Sequence, residues 1–249
     1  GHASMLIYSL LHLTGYDLSM EEIVNFRQWG SLTPGHPELR RTPGVEATTG
    51  PLGQGVANSV GMALAERWLA ARFNRPGHEV VDHYTYAICS DGDLMEGISH
   101  EVAALAGHQR LGKLIWIFDD NRITIEGATD LSSSTDQTDR FHGYHWHIQH
   151  VEDGTDLDAL DQALTAARGA AARPSLIVMT TRIGEGSPNK VGHHSTHGAP
   201  LGDDEISATK TNLAYPSQEP FHVDPDGLAA WRAAGDRGSR LQADWSTRF

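Results

Sequence analysis

Apolar positions along the chain fall into runs of two periods, and their alternation predicts alternating helices and strands. Tyr84-Thr85-Tyr86-Ala87-Ile88-Cys89 and Leu114-Ile115-Trp116-Ile117-Phe118 are short runs rich in β-branched and aromatic residues, the pattern of buried strands. Between them Glu96–Leu111 carries a helical pattern. Strand, helix, strand at this spacing is a βαβ unit, whose right-handed crossover sets the two strands parallel in one sheet. His145–Val151 and Ser175–Thr180 predict two further strands, joined by the Ala-rich helix Asp156–Ala172. Upstream, Ser4–Leu13 reads as a helix ended by Gly15, and Ser19-Met20-Glu21-Glu22 caps a short helix through Arg27. Val56–Phe73 reads as an amphipathic helix. The fold class expected is α/β: a doubly wound, mostly parallel sheet with helices on both faces.

Three polar stretches interrupt this alternation. Residues 30–55 are rich in Gly, Pro and Thr, a long loop of functional rather than linker character. Ala128–Asp139 is a Ser/Thr/Asp stretch that predicts a surface loop, and Thr181–Leu201 is a second Gly/His loop. From Ala214 onward, Pro-punctuated polar segments with short helices predict the approach to a domain linker. The expected division is therefore a ligand-binding domain over 1–213 and a C-terminal segment over 214–249.

Composition narrows the function classes. A chain of 249 residues can bury a substantial α/β core. With 19 basic and 32 acidic residues its formal charge is −13, which argues against nucleic acid as a partner. No run reaches the roughly eighteen consecutive apolar residues of a membrane helix, so no membrane partner is expected. Ser4–Leu13 lacks the basic leader and cleavage site of a signal peptide. The single cysteine, Cys89, excludes an internal disulfide, fits a reducing cytoplasm, and reads as a buried structural thiol in an apolar strand.

The chemistry concentrates at strand ends. Asp91-Gly92-Asp93 follows the first strand of the βαβ unit and Asp119-Asp120-Asn121 follows the second. Asp-Gly alone is an ordinary turn, and Asp-Asp-Asn alone an ordinary loop or cap. Paired at this spacing, Asp91 and Asn121 both sit at carboxyl ends of parallel strands, where open α/β sheets bind anionic ligands. A carboxylate and an amide oxygen there suit Mg²⁺ or Ca²⁺, hard cations that share oxygen ligands with a diphosphate. Glu96 and Glu101, five residues apart, would project about 140° apart on one helix and so serve separate purposes.

These residues resemble transketolase, the thiamine-diphosphate enzyme of the pentose phosphate pathway. The thiamine signature, Gly-Asp-Gly followed about thirty residues on by an Asn segment, reads here Ser90-Asp91-Gly92 and Asn121. Gly1-His2-Ala3-Ser4-Met5-Leu6-Ile7-Tyr8, Thr33-Pro34-Gly35-His36-Pro37-Glu38 and Thr49-Gly50-Pro51-Leu52-Gly53-Gln54-Gly55 match family motifs in order. So do Met95-Glu96-Gly97-Ile98-Ser99-His100-Glu101, Asp119-Asp120-Asn121-Arg122-Ile123-Thr124-Ile125, Gly186-Ser187-Pro188-Asn189-Lys190 and His197-Gly198-Ala199-Pro200-Leu201. The ordered set covers nearly the whole chain.

The resemblance implies transfer of a two-carbon ketol unit from a ketose phosphate to an aldose phosphate, with thiamine diphosphate and Mg²⁺ (or Ca²⁺) as cofactors. It assigns Asp91, Asn121 and the carbonyl of Ile123 to the metal. It assigns His2, Gly50, Leu52, Gly92, Glu96, Asn121 and His197 to the cofactor, Gly50 and Leu52 lining the pocket for its rings. His36 and His197 become the catalytic histidines that orient hydroxyls and move protons. Glu96 links paired cofactor sites across a homodimer interface, and Glu101 supports that network. Read without the family, His2 could be a tag remnant and His36 a turn residue. His193-His194 with His197 could be a zinc face, but they lie in a Gly/Ser/Pro loop without a cysteine or carboxylate partner nearby. Gly50–Gly55 has no preceding strand and no Lys-Ser/Thr, so it is neither a P-loop nor a dinucleotide fingerprint.

Two departures matter. Ser90 replaces the family's first Gly of Gly-Asp-Gly, a small residue that still permits the turn. The chain also starts without Met, inside what resembles an Asn-Gly-His-Gly-Ser motif, and ends where the family's first domain ends. The expectation is therefore the diphosphate-binding part alone, with leading helices upstream and a pyrimidine-binding domain on a partner chain or downstream. The alternatives are a cofactor-binding subunit of a split enzyme, inactive alone; another thiamine-diphosphate enzyme such as a dehydrogenase E1 component; or a metal hydrolase using the histidine loop.

Overall fold

In a computed structural model describing residues 1–249, the strand Leu114–Asp120 (β2) lies inside the sheet, and its side chains alternate between two separate apolar cores. Leu114, Trp116 and Phe118 point into one, Ile115 and Ile117 into the other. Burial on both faces is why this strand reads as a continuous apolar run rather than an alternating one. The other strands are Thr85–Ser90 (β1), His147–Val151 (β3) and Ser175–Thr180 (β4), in the order β1-β2-β4-β3 with every pairing parallel.

Nine helices surround the sheet: Ser4–Thr14 (α1), Met20–Val24 (α2), Gln54–Phe73 (α3), Asp91–Met95 (α4), Gly97–His108 (α5), Gln137–Gly143 (α6), Leu157–Gly169 (α7), Asp203–Asn212 (α8) and Pro225–Arg248 (α9). The larger core joins Val56, Val60 and Ala63 of α3, Ala103 and Ala106 of α5, and Phe141 of α6 to one sheet face. Ala163 and Ala167 of α7 cover the other with Ile115, Val151 and Ile177. Helices thus pack on both faces of an all-parallel sheet, the expected α/β class. Trp116 and Trp146 anchor the larger core with centroids 4.7 Å apart. Each buried indole N–H is satisfied, Trp116 donating to Ser59 Oγ at 2.8 Å and Trp146 to the Ala103 carbonyl at 2.9 Å.

Gly15, left-handed at φ 96°, ends α1, and Ser19 Oγ caps α2 by accepting the Glu22 N–H. The structure departs from the sequence reading in four places. The helix expected over Glu96–Leu111 spans Gly97–His108 and is preceded by a separate short helix, α4, because Glu96 is extended (φ −68°, ψ 140°) and breaks the run between α4 and α5. Glu96 and Glu101 therefore do not share a helix. Ala128–Asp139 is not all loop: it holds a 3-10 turn at Thr129–Leu131 and the start of α6, capped by Asp136. β3 starts at His147, since His145 takes a left-handed φ of 65° that ends the preceding turn. The C-terminal segment, expected as short helices, forms the 24-residue α9, which packs against α1.

The long loop before α3 is held by buried polar side chains. Thr33, fully buried, donates to the Glu22 carbonyl at 2.6 Å, and Tyr8 of α1 donates to the Pro34 carbonyl at 2.7 Å. These two bonds tie the loop to α2 and to α1 without strand or helix of its own.

Candidate functional site

Three histidines from three segments converge. The His2 and His36 ring centroids lie 5.0 Å apart, and His2 and His197 lie 5.9 Å apart. Nothing local joins positions 2, 36 and 197; the fold does. His2 sits at the entrance to α1, His36 on the loop tied down by Tyr8, and His197 just after a 3-10 turn at His194–Thr196. Burial is the main cause that lowers the His2 pKa, with neighbouring His36 adding to it, so this imidazole favours the neutral form. His193 and His194 pack with tilted rings at 4.4 Å while His197 turns to His2, so the three do not form one metal face.

Gly50 lies under this cluster with a φ of 130°, and a Cβ there would come 2.9 Å from the ring and Cβ of His36. Only glycine combines that backbone angle with that approach. Leu52 and Gly92 also meet, a Cβ on Gly92 falling 3.1 Å from Leu52 Cδ1. Gly53, at φ 81°, presses on Glu96 and Ile98, where a Cβ would sit 2.9 Å from each. The turn 50–53 is thus packed onto the segment 92–98. His2, Gly50, Asp93 and the apolar side chains Leu6, Val45 and Ile88 share a cavity of about 400 Å³.

The strand-end residues form the other half. Ser90 pairs with Asp119 in the β1–β2 register, so Asp91 and Asn121 follow neighbouring strand termini. Ser90 has a φ of −115°, a conformation open to any residue, which explains why it substitutes for glycine without strain. Asp91 is the electrostatic focus: burial first, then Asp120 and Asp119, push its carboxyl up to about 6, against the opposing pull of Arg122. Arg122 is mostly exposed and reaches Asp120 only at 3.7 Å. Asp119 is turned away, accepting from Thr181 Oγ1 and from Asn121 Nδ2. Asn121 Oδ1 accepts the Ile123 N–H at 2.9 Å, and the Ile123 carbonyl accepts no backbone N–H.

Surplus buried negative charge and all-oxygen donors fit a hard divalent cation. No group of three or more His, Cys, Asp or Glu side chains is close enough to hold a metal. The metal reading accordingly rests on one carboxylate, one amide and one carbonyl. Asp91 also lines a polar cavity of about 550 Å³ with Asp120, Arg122, His150 and Thr180 at the carboxyl ends of the strands. Asp91 and Asp93 therefore border two cavities, with Gly92 between them. Glu101 is exposed on α5.

Sequence reasoning missed Asp93. Its Oδ1 accepts the Gly53 N–H at 2.9 Å, and its Oδ2 accepts the Ser90 N–H and Oγ–H at 3.0 Å each. It joins the glycine turn to the metal loop. The Ser-x-x-acid spacing of a capping box was the available signal. Glu205 was missed as well; three donors from residues 187–189 converge on its carboxylate, and no local pattern marks it. Cys89 is buried in β1, and burial raises its thiol well above the ordinary range, which leaves it inert.

A family model described as transketolase, thiamine diphosphate binding domain, matches residues 1–249. The transketolase of Halalkalibacterium halodurans is 55% identical over the whole of this chain, which spans 37% of that relative. A solved transketolase from Pichia stipitis, in complex with sedoheptulose 7-phosphate, superposes with a TM-score of 0.95 at 44% identity, over 98% of this chain and 36% of its own. The transketolase from Leishmania mexicana does so at 0.95 with 48% identity, over 98% and 36%. The chain thus spans little more than a third of the relatives' length, and it belongs to the transketolase family, its residues 1–249 matching that family's thiamine diphosphate binding domain.

Proposed function

We propose that this chain is the diphosphate- and metal-binding part of a transketolase that moves a two-carbon ketol unit from a ketose phosphate to an aldose phosphate. The observation that carries the reading is the convergence of His2, His36 and His197 on the Gly50 turn, beside the Asp91-Gly92-Asp93 loop. In this reading Asp91, Asn121 and the Ile123 carbonyl hold Mg²⁺ or Ca²⁺. His2, Gly92, Asn121 and His197 face the diphosphate, and Gly50 and Leu52 flank the rings. When bound, thiamine diphosphate supplies the carbanion stabilisation that breaking a carbon–carbon bond beside a ketone requires. His36 and His197 hold substrate hydroxyls and take or return protons at their ring nitrogens. His2, held towards the neutral form by burial and by His36, donates its ring N–H to a diphosphate oxygen. Residues 1–213 form the binding unit, and residues 214–249 lead towards the rest of the protein.

The reading extends to assembly and place. Glu96 faces a paired site in a homodimer, with Glu101 supporting it. A pyrimidine-binding domain, on this polypeptide or a partner chain, completes each site. A cytoplasmic location agrees with the single buried thiol and with the lack of any helix long and apolar enough to cross a membrane. Calorimetric titration of thiamine diphosphate into the chain, with Mg²⁺ and with EDTA, tests the core of the proposal. Saturable binding that needs the metal is expected. Heat that is equal with and without metal, or no binding at all, would refute it.

A further inference from the structure

The loop that brings His197 to the site is fastened from outside the site. Glu205, the third residue of α8, is buried, and its Oε1 accepts from Ser187 Oγ and from the Asn189 N–H at 2.9 Å. Its Oε2 accepts from Asn189 Nδ2 at 2.9 Å. Ser187, itself 2% exposed, accepts the Lys190 N–H at 3.1 Å, which closes the turn 187–190. From that turn Lys190 Nζ reaches across to the Leu201 carbonyl at 2.8 Å. Asn212, at the far end of α8, donates to the Gly186 carbonyl at 2.9 Å. His197 lies between the two ends, Lys190 and Leu201, that the lysine strut draws together. Bonds to a carboxylate are the strong ones, and a buried acceptor that vanishes leaves three donors orphaned.

We propose that Glu205 is the positioning residue for His197, holding the 187–201 loop so that this imidazole meets His2 over the cofactor pocket; the consequence for binding rests on the transketolase reading above. Glu205 touches neither cofactor nor substrate and acts through Ser187, Asn189 and Lys190. The carboxylate needs three acceptor contacts here. Glutamine keeps an oxygen for Ser187 and the Asn189 N–H and loses only the contact to Asn189 Nδ2, whereas alanine loses all three.

The test uses the intact 249-residue protein. The His197 ring resonance, assigned by its loss in His197→Asn, is followed in Glu205→Ala, Glu205→Gln and Lys190→Met. The Trp116 indole N–H, bonded to Ser59, reports the core. Glu205→Ala and Lys190→Met are expected to shift or broaden the His197 signal, leave Trp116 unmoved, and weaken binding of thiamine diphosphate with Mg²⁺ about tenfold. Glu205→Gln should recover most of both. An unchanged His197 signal in folded Glu205→Ala overturns the proposal; if that variant does not fold, the same result in Lys190→Met does so. A wild-type chain that binds no thiamine diphosphate refutes the functional reading instead, while the His197 resonance still decides the role of Glu205.

Discussion

Single residues here answer to charge and to hydrogen-bond accounting. Asp91 is a carboxylate that burial and two neighbouring aspartates hold against ionisation, with a backbone hydrogen bond and an exposed arginine in partial compensation. Its substitution by alanine removes the one anionic donor of the proposed metal site in a strongly acidic chain. Asp91→Ala should therefore lower metal-dependent thiamine diphosphate affinity by more than roughly 100-fold, beyond the usual cost of an outer-shell partner. Undiminished affinity in the folded variant, by the same calorimetry, would remove Asp91 from the site. Tyr8 gives a pH prediction. Burial first, with Glu38 adding, raises its phenol to about 12 against an unfolded value near 10. Between those values the unfolded chain has released the proton and the folded one has not, so stability falls as pH rises, by about 1.4 kcal/mol per unit. Tyr8→Phe should lose about 1 kcal/mol at pH 7 with its bond to Pro34. The gap from wild type should then close or reverse as pH passes from 10 to 12. Urea melts at pH 7, 10 and 11 measure this, and a constant gap would show that Tyr8 does not titrate.

Elements follow from context as much as from their own sequence, and α9 shows the difference. Its interior glycines, Gly235 and Gly238, and the proline at its start read as breakers, yet it runs 24 residues. The reason is docking: a Cβ on Gly235 would lie 2.0 Å from the Thr14 carbonyl, so glycine is what lets α9 approach α1. Trp245 adds a bond from its indole to the Val80 carbonyl at 2.8 Å. Gly238 has open space around it. Gly235→Ala should thus destabilise by about 1–3 kcal/mol through overpacking, although alanine is the better helix former. Gly238→Ala should stabilise by up to about 1 kcal/mol. Thermal melts that move both variants in the same direction would contradict this packing. By contrast β4 was legible residue for residue, because an apolar run preceded by Pro174 satisfies both the strand pattern and its boundary. The strand-end aspartates and asparagine were legible because sheet topology places them. The histidine cluster is not readable from spacing: positions 2, 36 and 197 meet only in three dimensions, and only family motifs singled them out. Asp93 carried the local Ser-x-x-acid spacing as its signal, whereas Glu205 acts on groups of a distant loop, a role that leaves little trace in linear sequence.

At the scale of the whole molecule, the arrangement is well supplied with binding groups and leaves apolar side chains in solvent. Trp29, Trp68, Phe73 and Leu131 are largely exposed, which suits a chain meant to be covered by further protein. Light scattering over a concentration series should therefore find self-association, and a clean monomer throughout would argue against an interface-forming unit. The argument about activity starts from the carboxylates near the histidines. Asp93 shares the His2 cavity, but both its oxygens are taken, by Gly53 and by Ser90. Glu96 is packed beside Gly53, on the diphosphate side in the proposed reading, and Glu101 faces solvent on α5. Glu46 also lines the His2 cavity, at its exposed rim; in the proposed reading the carboxylate that exchanges protons with the pyrimidine is none of these four but one supplied by the pyrimidine-binding domain. Lost general acid–base help of this kind costs roughly 10²–10⁴-fold in rate. The chain also spans only 37% of the Halalkalibacterium halodurans relative. The isolated chain should bind thiamine diphosphate and metal yet give no useful turnover of xylulose 5-phosphate with ribose 5-phosphate. Adding a chain that carries a pyrimidine-binding domain should restore measurable product in a coupled assay. Robust turnover by the 249 residues alone would mean that one of these four carboxylates, or a histidine of the cluster, performs the proton transfer assigned here to the pyrimidine-binding domain.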